Sequence, residues 1–277
     1  MKGGAANRAR NRSELKVGTD LIATVGRVIA ADQFRVLVRS QHIGCRGLVA
    51  SDTRRTSVKS RIVALTQQVV RIDRETRDGI SPQLSKRLLT SIKAQLPAAA
   101  AVIVGDYGKG VVTQALLNEL KTLCREHGVW LSFDPKPVHH LNLAGLSLIT
   151  PNRKEAFELA NLPDDTRQSN PLADKNLMQV AGRLLLELSP AVLLITLGEL
   201  GMLLCQRGQK PFHIPTVAQE VYDVSGAGDT VIATFTLAIA AGASPGEGGI
   251  LSNPAGGGGG GKGGTPPASA AGILLKF

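Results

Sequence analysis

The sequence predicts an α/β fold, a mostly parallel central sheet with helices on both faces, and three observations carry that prediction. Short apolar runs of strand length alternate with segments of helical periodicity. The runs are mostly apolar rather than strictly alternating, as strands buried on both faces are. Cap and turn residues separate the two kinds of segment, as strand-helix-strand units require.

The strand runs are AVIVGD (Ala101–Asp106), VWLSFD (Val129–Asp134), LSLIT (Leu146–Thr150) and AVLLITLG (Ala191–Gly198). Helices fill the intervals. SPQLSKRLLTSIKAQLP opens with Ser81 as N-cap and Pro82 at the first helical position, where its missing N–H costs nothing, and sets Leu84, Leu88, Ile92 and Leu96 on one face. TQALLNELKTLCREHG carries Leu116, Leu120 and Leu123 at helical spacing and stops at Gly128, suited to a left-handed C-terminal residue. Val180, Leu184 and Leu188 mark a third helix.

In sheets of this kind ligands bind beyond the carboxyl ends of the strands. Asp106, Tyr107 and Lys109 follow the first run, Asp134 and Lys136 the second, Asn152 and Glu155 the third, and Thr196, Gly198 and Gly201 the fourth. One polar loop residue carries little, because loops are polar in any case. Four groups at the same place relative to their strands predict one functional edge.

With 277 residues, 43% of them hydrophobic, the chain is long enough for one large or two small domains. Cys45, Cys124 and Cys205 lie far apart, without metal-ligand or CxxC spacing, and read as packing residues in a reducing compartment. No apolar run reaches the length of a membrane span and the first residues lack the apolar core of a signal peptide, so a cytoplasmic protein is expected. Of 32 Lys and Arg and 22 Asp and Glu, 13 and 4 fall in Met1–Arg61, so the net charge of +10 belongs to the front of the chain. That charge suits a phosphorylated substrate or nucleic acid, and the lack of nucleic-acid-binding motifs and interleaved aromatics weighs against the latter. The stretch NPAGGGGGGKGGT (Asn253–Thr265) is of low complexity and expected to be loose. Within it Gly256, Gly261 and Lys262 approach a P-loop, but Gly263 stands where a Ser or Thr must bind magnesium.

The most informative stretch is VYDVSGAGDTVIATF (Val221–Phe235). Apolar residues from Val231 to Ala241 run all round a helix, which predicts a buried helix with a rigidly held N-terminus. The N–H groups of Gly226, Ala227 and Gly228 then form an anion hole at the positive end of the helix dipole, and glycine lets a phosphate approach. Asp229 at that entrance is either a cap or a carboxylate that takes a proton from a hydroxyl while the hole steadies the phosphoryl group under attack.

DVSGAGDT resembles the C-terminal signature of the ribokinase, or PfkB, family of sugar kinases. GGAAN (Gly3–Asn7) resembles the family's double-glycine motif, TPNRKE contains its N-x-x-E motif at Asn152 and Glu155, and TLGELG (Thr196–Gly201) resembles its nucleotide-binding T-x-G-x-x-G. Within the family, TSVKSRIVA, QQVVRIDRE, GDYGKGV, FDPK and VYDVSGAGDTVIA are most similar to the kinase domain of bacterial heptose 7-phosphate kinases.

The resemblance implies one ribokinase-like kinase domain over 1–277, with a basic, divergent part at 1–61 and a Gly-rich segment at 253–265. It implies ATP and Mg²⁺ as cofactors, a small sugar phosphate as partner, and a homodimer. The activity implied is phosphorylation of O1 of D-glycero-D-manno-heptose 7-phosphate, toward ADP-heptose for lipopolysaccharide. Asp229 would be the base, and the Gly226, Ala227 and Gly228 amides would steady the γ-phosphoryl. Asn152 and Glu155 would hold magnesium through water. Asn152, Thr196, Gly198, Gly201 and Asn253 would line the nucleotide. Gly3, Gly4 and Asn7 would face the sugar, with Lys59, Arg61, Lys109, Asp134 and Lys136 as further substrate or phosphate contacts.

Family members carry a strand before the double glycine and a lid built from further strands, so the N-terminal strand and the lid are expected to be truncated here, with part of the sugar site. Arg8, Arg10 and Arg12 occupy a helix that is apolar in the family, and the glycines from Gly256 to Gly261 replace an Ala/Val-rich helix. Two further readings follow: another family member acting on a different sugar, and a non-catalytic nucleotide-binding remnant.

Overall fold

The computed structural model describes residues 18–27, 29–64, 67–137, 140–216, 227–256 and 272–276. The first part of the chain holds β1 (Thr19–Gly26), α1 (Ile29–Arg39), β2 (Gly44–Ser51), β3 (Val58–Ala64) and β4 (Gln67–Arg74). The middle holds α2 (Pro82–Gln95), β5 (Ala101–Gly105), α3 (Gln114–Glu126), β6 (Trp130–Asp134), β7 (Leu148–Ile149), α4 (Arg153–Leu159) and α5 (Lys175–Leu188). β8 (Val192–Thr196), β9 (Met202–Cys205), β10 (Phe212–Ile214), α6 (Ala227–Ala240), α7 (Pro245–Gly256) and β11 (Gly272–Lys276) complete it.

Nine of these strands form one sheet in the order β10-β9-β8-β7-β6-β5-β11-β1-β2. From β8 to β2 every neighbouring pair is parallel, and β9 and β10 are antiparallel at one edge. All four predicted runs are strands, and every residue of β5 is buried. Alternate residues feed opposite faces. Val102, Val104, Leu131, Phe133, Leu193 and Ile195 pack with the helix residues Leu88, Leu120, Phe157 and Leu177. Ile103, Leu148, Val192 and Leu194 pack with Ala31 and Val38 of α1 and with Ile232 and Phe235 of α6. Helices therefore cover both faces, as predicted.

The predicted helix signals hold in detail. Ser81 accepts from the Leu84 N–H as N-cap of α2, and Gly128 beyond α3 has φ +64. Burial pushes the Cys124 and Cys205 thiols up to about 12, as inert packing residues require. Among the described residues no helix is long and apolar enough to cross a membrane.

Three features differ from expectation. β11 lies in the middle of the sheet between β1 and β5, pairing Thr19 with Gly272 and Gly272 with Ala101, although this short run carried no prediction. β3 and β4 form a separate antiparallel ribbon, so two strands stand outside the main sheet in a chain whose lid was expected to be truncated. Asn253 to Gly256, expected to be loose, close α7, which packs on α6.

Helix α6 is seated by a directional contact. The fully buried Ser132 and Thr236 hydroxyls are 2.7 Å apart, and Trp130 Nε1 donates to Ser132 at 2.9 Å. A second anchor holds α4. Arg153 donates to Asp164 and to Asp174, the buried N-cap of α5, and stacks on Phe157.

Thr236→Val keeps the shape and removes the hydroxyl, and is expected to lower stability by about 1–3 kcal/mol in urea unfolding. Burial opposes ionisation of Asp174 and Asp164, but hydrogen bonds from Thr166 and Leu177 at the first, Arg167 at the second and Arg153 at both more than offset it, so both carboxyls sit below the usual aspartate value of 3.8. Their contribution is present above that value and is lost as pH falls through the folded values. Urea midpoints should fall steeply below about pH 4 and less steeply in Arg153→Met.

Candidate active site

The carboxyl ends of the parallel strands are tied into one edge by backbone bonds. Asp106 N donates to Asp134 O at 3.1 Å, Thr150 N to Phe133 O at 3.1 Å, and Thr196 N to Pro151 O at 3.0 Å. Asn152 and Thr196 form a parallel bridge. The strand-end residues predicted to share an edge do so.

Helix α6 delivers Asp229 to that edge. Its first turn opens on the surface, with Gly228 exposed and Asp229 half-buried, whereas Val231, Ile232, Ala233 and the stretch from Phe235 to Ala238 are buried. Among the described residues nothing lies within 4 Å of a Cβ built at Gly228, so no described side chain or strand covers that position of the first turn. The Tyr107 hydroxyl donates to Asp229 Oδ1 at 3.2 Å, which joins the turn after β5 to the start of α6. Ala227 is the first residue of α6, and Gly226 lies outside the described residues.

Asn152 and Glu155 form a reciprocal capping box at the start of α4. Asn152 Oδ1 accepts from Glu155 N at 2.9 Å, and Glu155 Oε2 accepts from Asn152 N at 3.0 Å. Lys136 reaches Glu155 Oε1 at 3.3 Å. Among the described residues no group of three or more His, Cys, Asp or Glu is placed to hold a metal. Two hard oxygen donors, one of them anionic, fit a hydrated cation held through water and do not fit an all-protein cage.

The Thr196 loop, the end of β10 and α7 make a continuous rim. Gly198 and Gly201 have φ +63 and +84. A Cβ at Gly201 would lie 2.1 Å from Ile214 O and 2.6 Å from Thr216 N, so only glycine lets the two backbones close. Asn253 Nδ2 donates to Pro215 O at 2.6 Å, which brings α7 to the same rim.

The basic candidates are distributed differently. Lys59 and Arg61 are exposed on the ribbon strand β3, and Lys136 is half-exposed beside Glu155. Lys109 is held by Glu75 at 2.9 Å and by Ser57 at 3.1 Å, and its ammonium keeps the Glu75 carboxyl below the usual carboxylate range. Asp134 closes β6 on the functional edge. Gly3, Gly4 and Asn7 lie outside the described residues. Two residues gain importance from contacts across the chain: Tyr107, expected on the edge but given no role of its own, whose partner is 122 residues away, and Arg54, which carried no expectation and is buried at the root of the ribbon. Arg54 is one arginine in a basic segment, and nothing in its neighbours marks it.

Comparison with known proteins identifies the family and the fold. The model of the pfkB family carbohydrate kinases matches residues 2–256. The bifunctional protein HldE of Caulobacter vibrioides is 38% identical over 258 residues, covering 92% of this chain and 51% of that protein. HldE of Desulfatibacillum aliphaticivorans is 35% identical over 253 residues, covering 91% and 50%. The chain thus spans about half the length of the curated relatives it matches. In fold it is similar to Arabidopsis thaliana ribokinase complexed with ribose and ATP, at TM-score 0.70 and 18% identity, covering 92% of this chain and 80% of that one. Phosphofructokinase-2 from Escherichia coli superposes at TM-score 0.73 and 16% identity, covering 92% and 79%. With its sheet edge, its helix-borne aspartate and a family match from residue 2 to residue 256, the chain belongs to the pfkB family of carbohydrate kinases.

Proposed function

We propose that this chain is an ATP-dependent kinase that phosphorylates O1 of D-glycero-D-manno-heptose 7-phosphate in the cytoplasm. One observation carries the reading: a buried helix brings Asp229, which accepts a hydrogen bond from Tyr107, to the edge formed by the four strand ends. The similarity of GDYGKGV, FDPK and VYDVSGAGDTVIA to heptose 7-phosphate kinases supports the sugar, and the HldE relatives agree with that choice.

In this reading Asp229 accepts the proton of the anomeric hydroxyl as O1 attacks the γ-phosphorus. The new O–P bond forms, the bond to the ADP oxygen breaks, and the proton rests on the carboxylate until solvent takes it. Amides at the start of α6 face the phosphoryl oxygens, where charge spreads in the transition state. The rim of Thr196, Gly198, Gly201 and Asn253 lines the nucleotide. Asn152 and Glu155 would hold magnesium through water, and the ion would supply neutralisation of phosphate charge. The exposed Lys59 and Arg61 of the ribbon, with Lys136, supply positive charge for the sugar phosphate.

ADP release across a panel holding heptose 7-phosphate and fructose phosphates tests the activity. Heptose 7-phosphate should give the highest kcat/KM, and Asp229→Asn should lose about 10²–10⁴-fold in kcat with ATP affinity nearly unchanged. ATP binding without ADP release for any sugar would establish the non-catalytic alternative. Glu155→Gln separates cap from charge, because glutamine also completes a capping box. Its melting temperature should stay close to the parent's while the magnesium concentration for half-maximal rate rises several-fold. A residue that only caps would change neither.

A further inference from the structure

Arg54 is only 8% exposed, and its guanidinium is spent on main-chain oxygens. One nitrogen donates to Asp78 O, and another to Thr76 O at 3.1 Å and to Lys109 O. Burial draws its pKa below the usual arginine value, with nearby Asp78 opposing. A buried cation is costly unless its donors are satisfied, and the planar fork of arginine reaches several acceptors at once.

The carbonyls belong to two segments: the exit of β4, which is the root of the ribbon, and the turn after β5. These segments also meet directly. Ile80 N donates to Gly110 O at 3.0 Å, and a Cβ at Gly110, whose φ is +70, would lie 2.3 Å from Asp78 O and 2.5 Å from Arg77 O. Lys109 adds its bonds to Glu75 and Ser57. Tyr107 stands two residues before Lys109 in the same turn, which the bond from Gly108 N to Asp106 Oδ1 closes at 2.9 Å.

We propose that Arg54 is a positioning residue for the catalytic base: by gripping the Lys109 carbonyl together with the ribbon root, it fixes the turn that presents Tyr107 to Asp229. The proposal rests on reading Asp229 as the base. It makes ribbon and base one mechanical unit, although Arg54 touches neither Tyr107 nor Asp229 by any hydrogen bond described.

A double-mutant cycle tests it. Tyr107→Phe should lower kcat about 10-fold or more, as loss of a hydrogen bond to a charged group does, with KM for ATP unchanged. Arg54→Met should lower kcat comparably, and the double variant should be no worse than the worse single one. Multiplying losses would overturn the proposal. A second readout needs no substrate. The chain has two tyrosines, Tyr107 and Tyr222, so in a Tyr222→Phe background the ¹³Cζ-labelled Tyr107 gives one NMR signal. Arg54→Met should move that signal in the direction that Asp229→Asn does, and a folded Arg54→Met with the signal in place would overturn the proposal. If Arg54→Met does not unfold cooperatively, Arg54→Lys, which keeps the charge and loses the fork, carries both measurements. If the parent protein releases no ADP with any sugar, the kinase reading fails while the NMR signal still decides the role of Arg54.

Discussion

The site depends on how α6 is seated. A helix with apolar residues nearly all round its circumference has little in its packing alone to fix its rotation or its slide along the sheet. The contact between Ser132 of β6 and Thr236 of α6 supplies the missing direction, since a buried hydroxyl that slipped from its partner would be left unsatisfied. Asp229 lies seven residues before Thr236, about 10 Å along the axis, which carries it from the middle of the sheet to its carboxyl edge. A short bond in the core thus sets the height of a carboxylate at the surface.

The rest of the edge follows the same economy, in which one contact serves both fold and site. The capping box that starts α4 is a stability device, yet it also fixes the direction of the Glu155 carboxylate. Arg153, between the two capping residues, ties α4 to the N-cap of α5, so the turn after β7 is braced from below. Gly201 allows a close backbone approach that brings the β10 end against the Thr196 loop, and Asn253 extends the contact to α7. Phosphoryl transfer asks mainly for positioning and charge, and these braces supply positioning.

Legibility in the sequence tracked the range of the interactions. The strands β5 to β8 were plain because both of their faces are buried and, Ser132 and the polar strand ends apart, their residues are apolar. The end of α2 was plain because caps act over three or four residues, as Ser81 shows. The shared edge followed from topology, which needs only strand direction. What stayed hidden depends on contacts across the chain. The run at Gly272–Lys276 is too short to announce a central strand, and its neighbours β1 and β5 are distant in sequence. The ribbon leaves Ile62 and Val70 exposed, so its apolar residues mimic a core pattern. Tyr107 and Arg54 act through partners that no local pattern specifies.

The most direct measurement is a crystal structure of the protein with a non-hydrolysable ATP analogue, magnesium and heptose 7-phosphate. A base role for Asp229 predicts its carboxylate within hydrogen-bond reach of the sugar O1, about 3 Å, with the γ-phosphate before the first turn of α6. A sugar bound with O1 away from Asp229, or a γ-phosphate away from the α6 N-terminus, would contradict it.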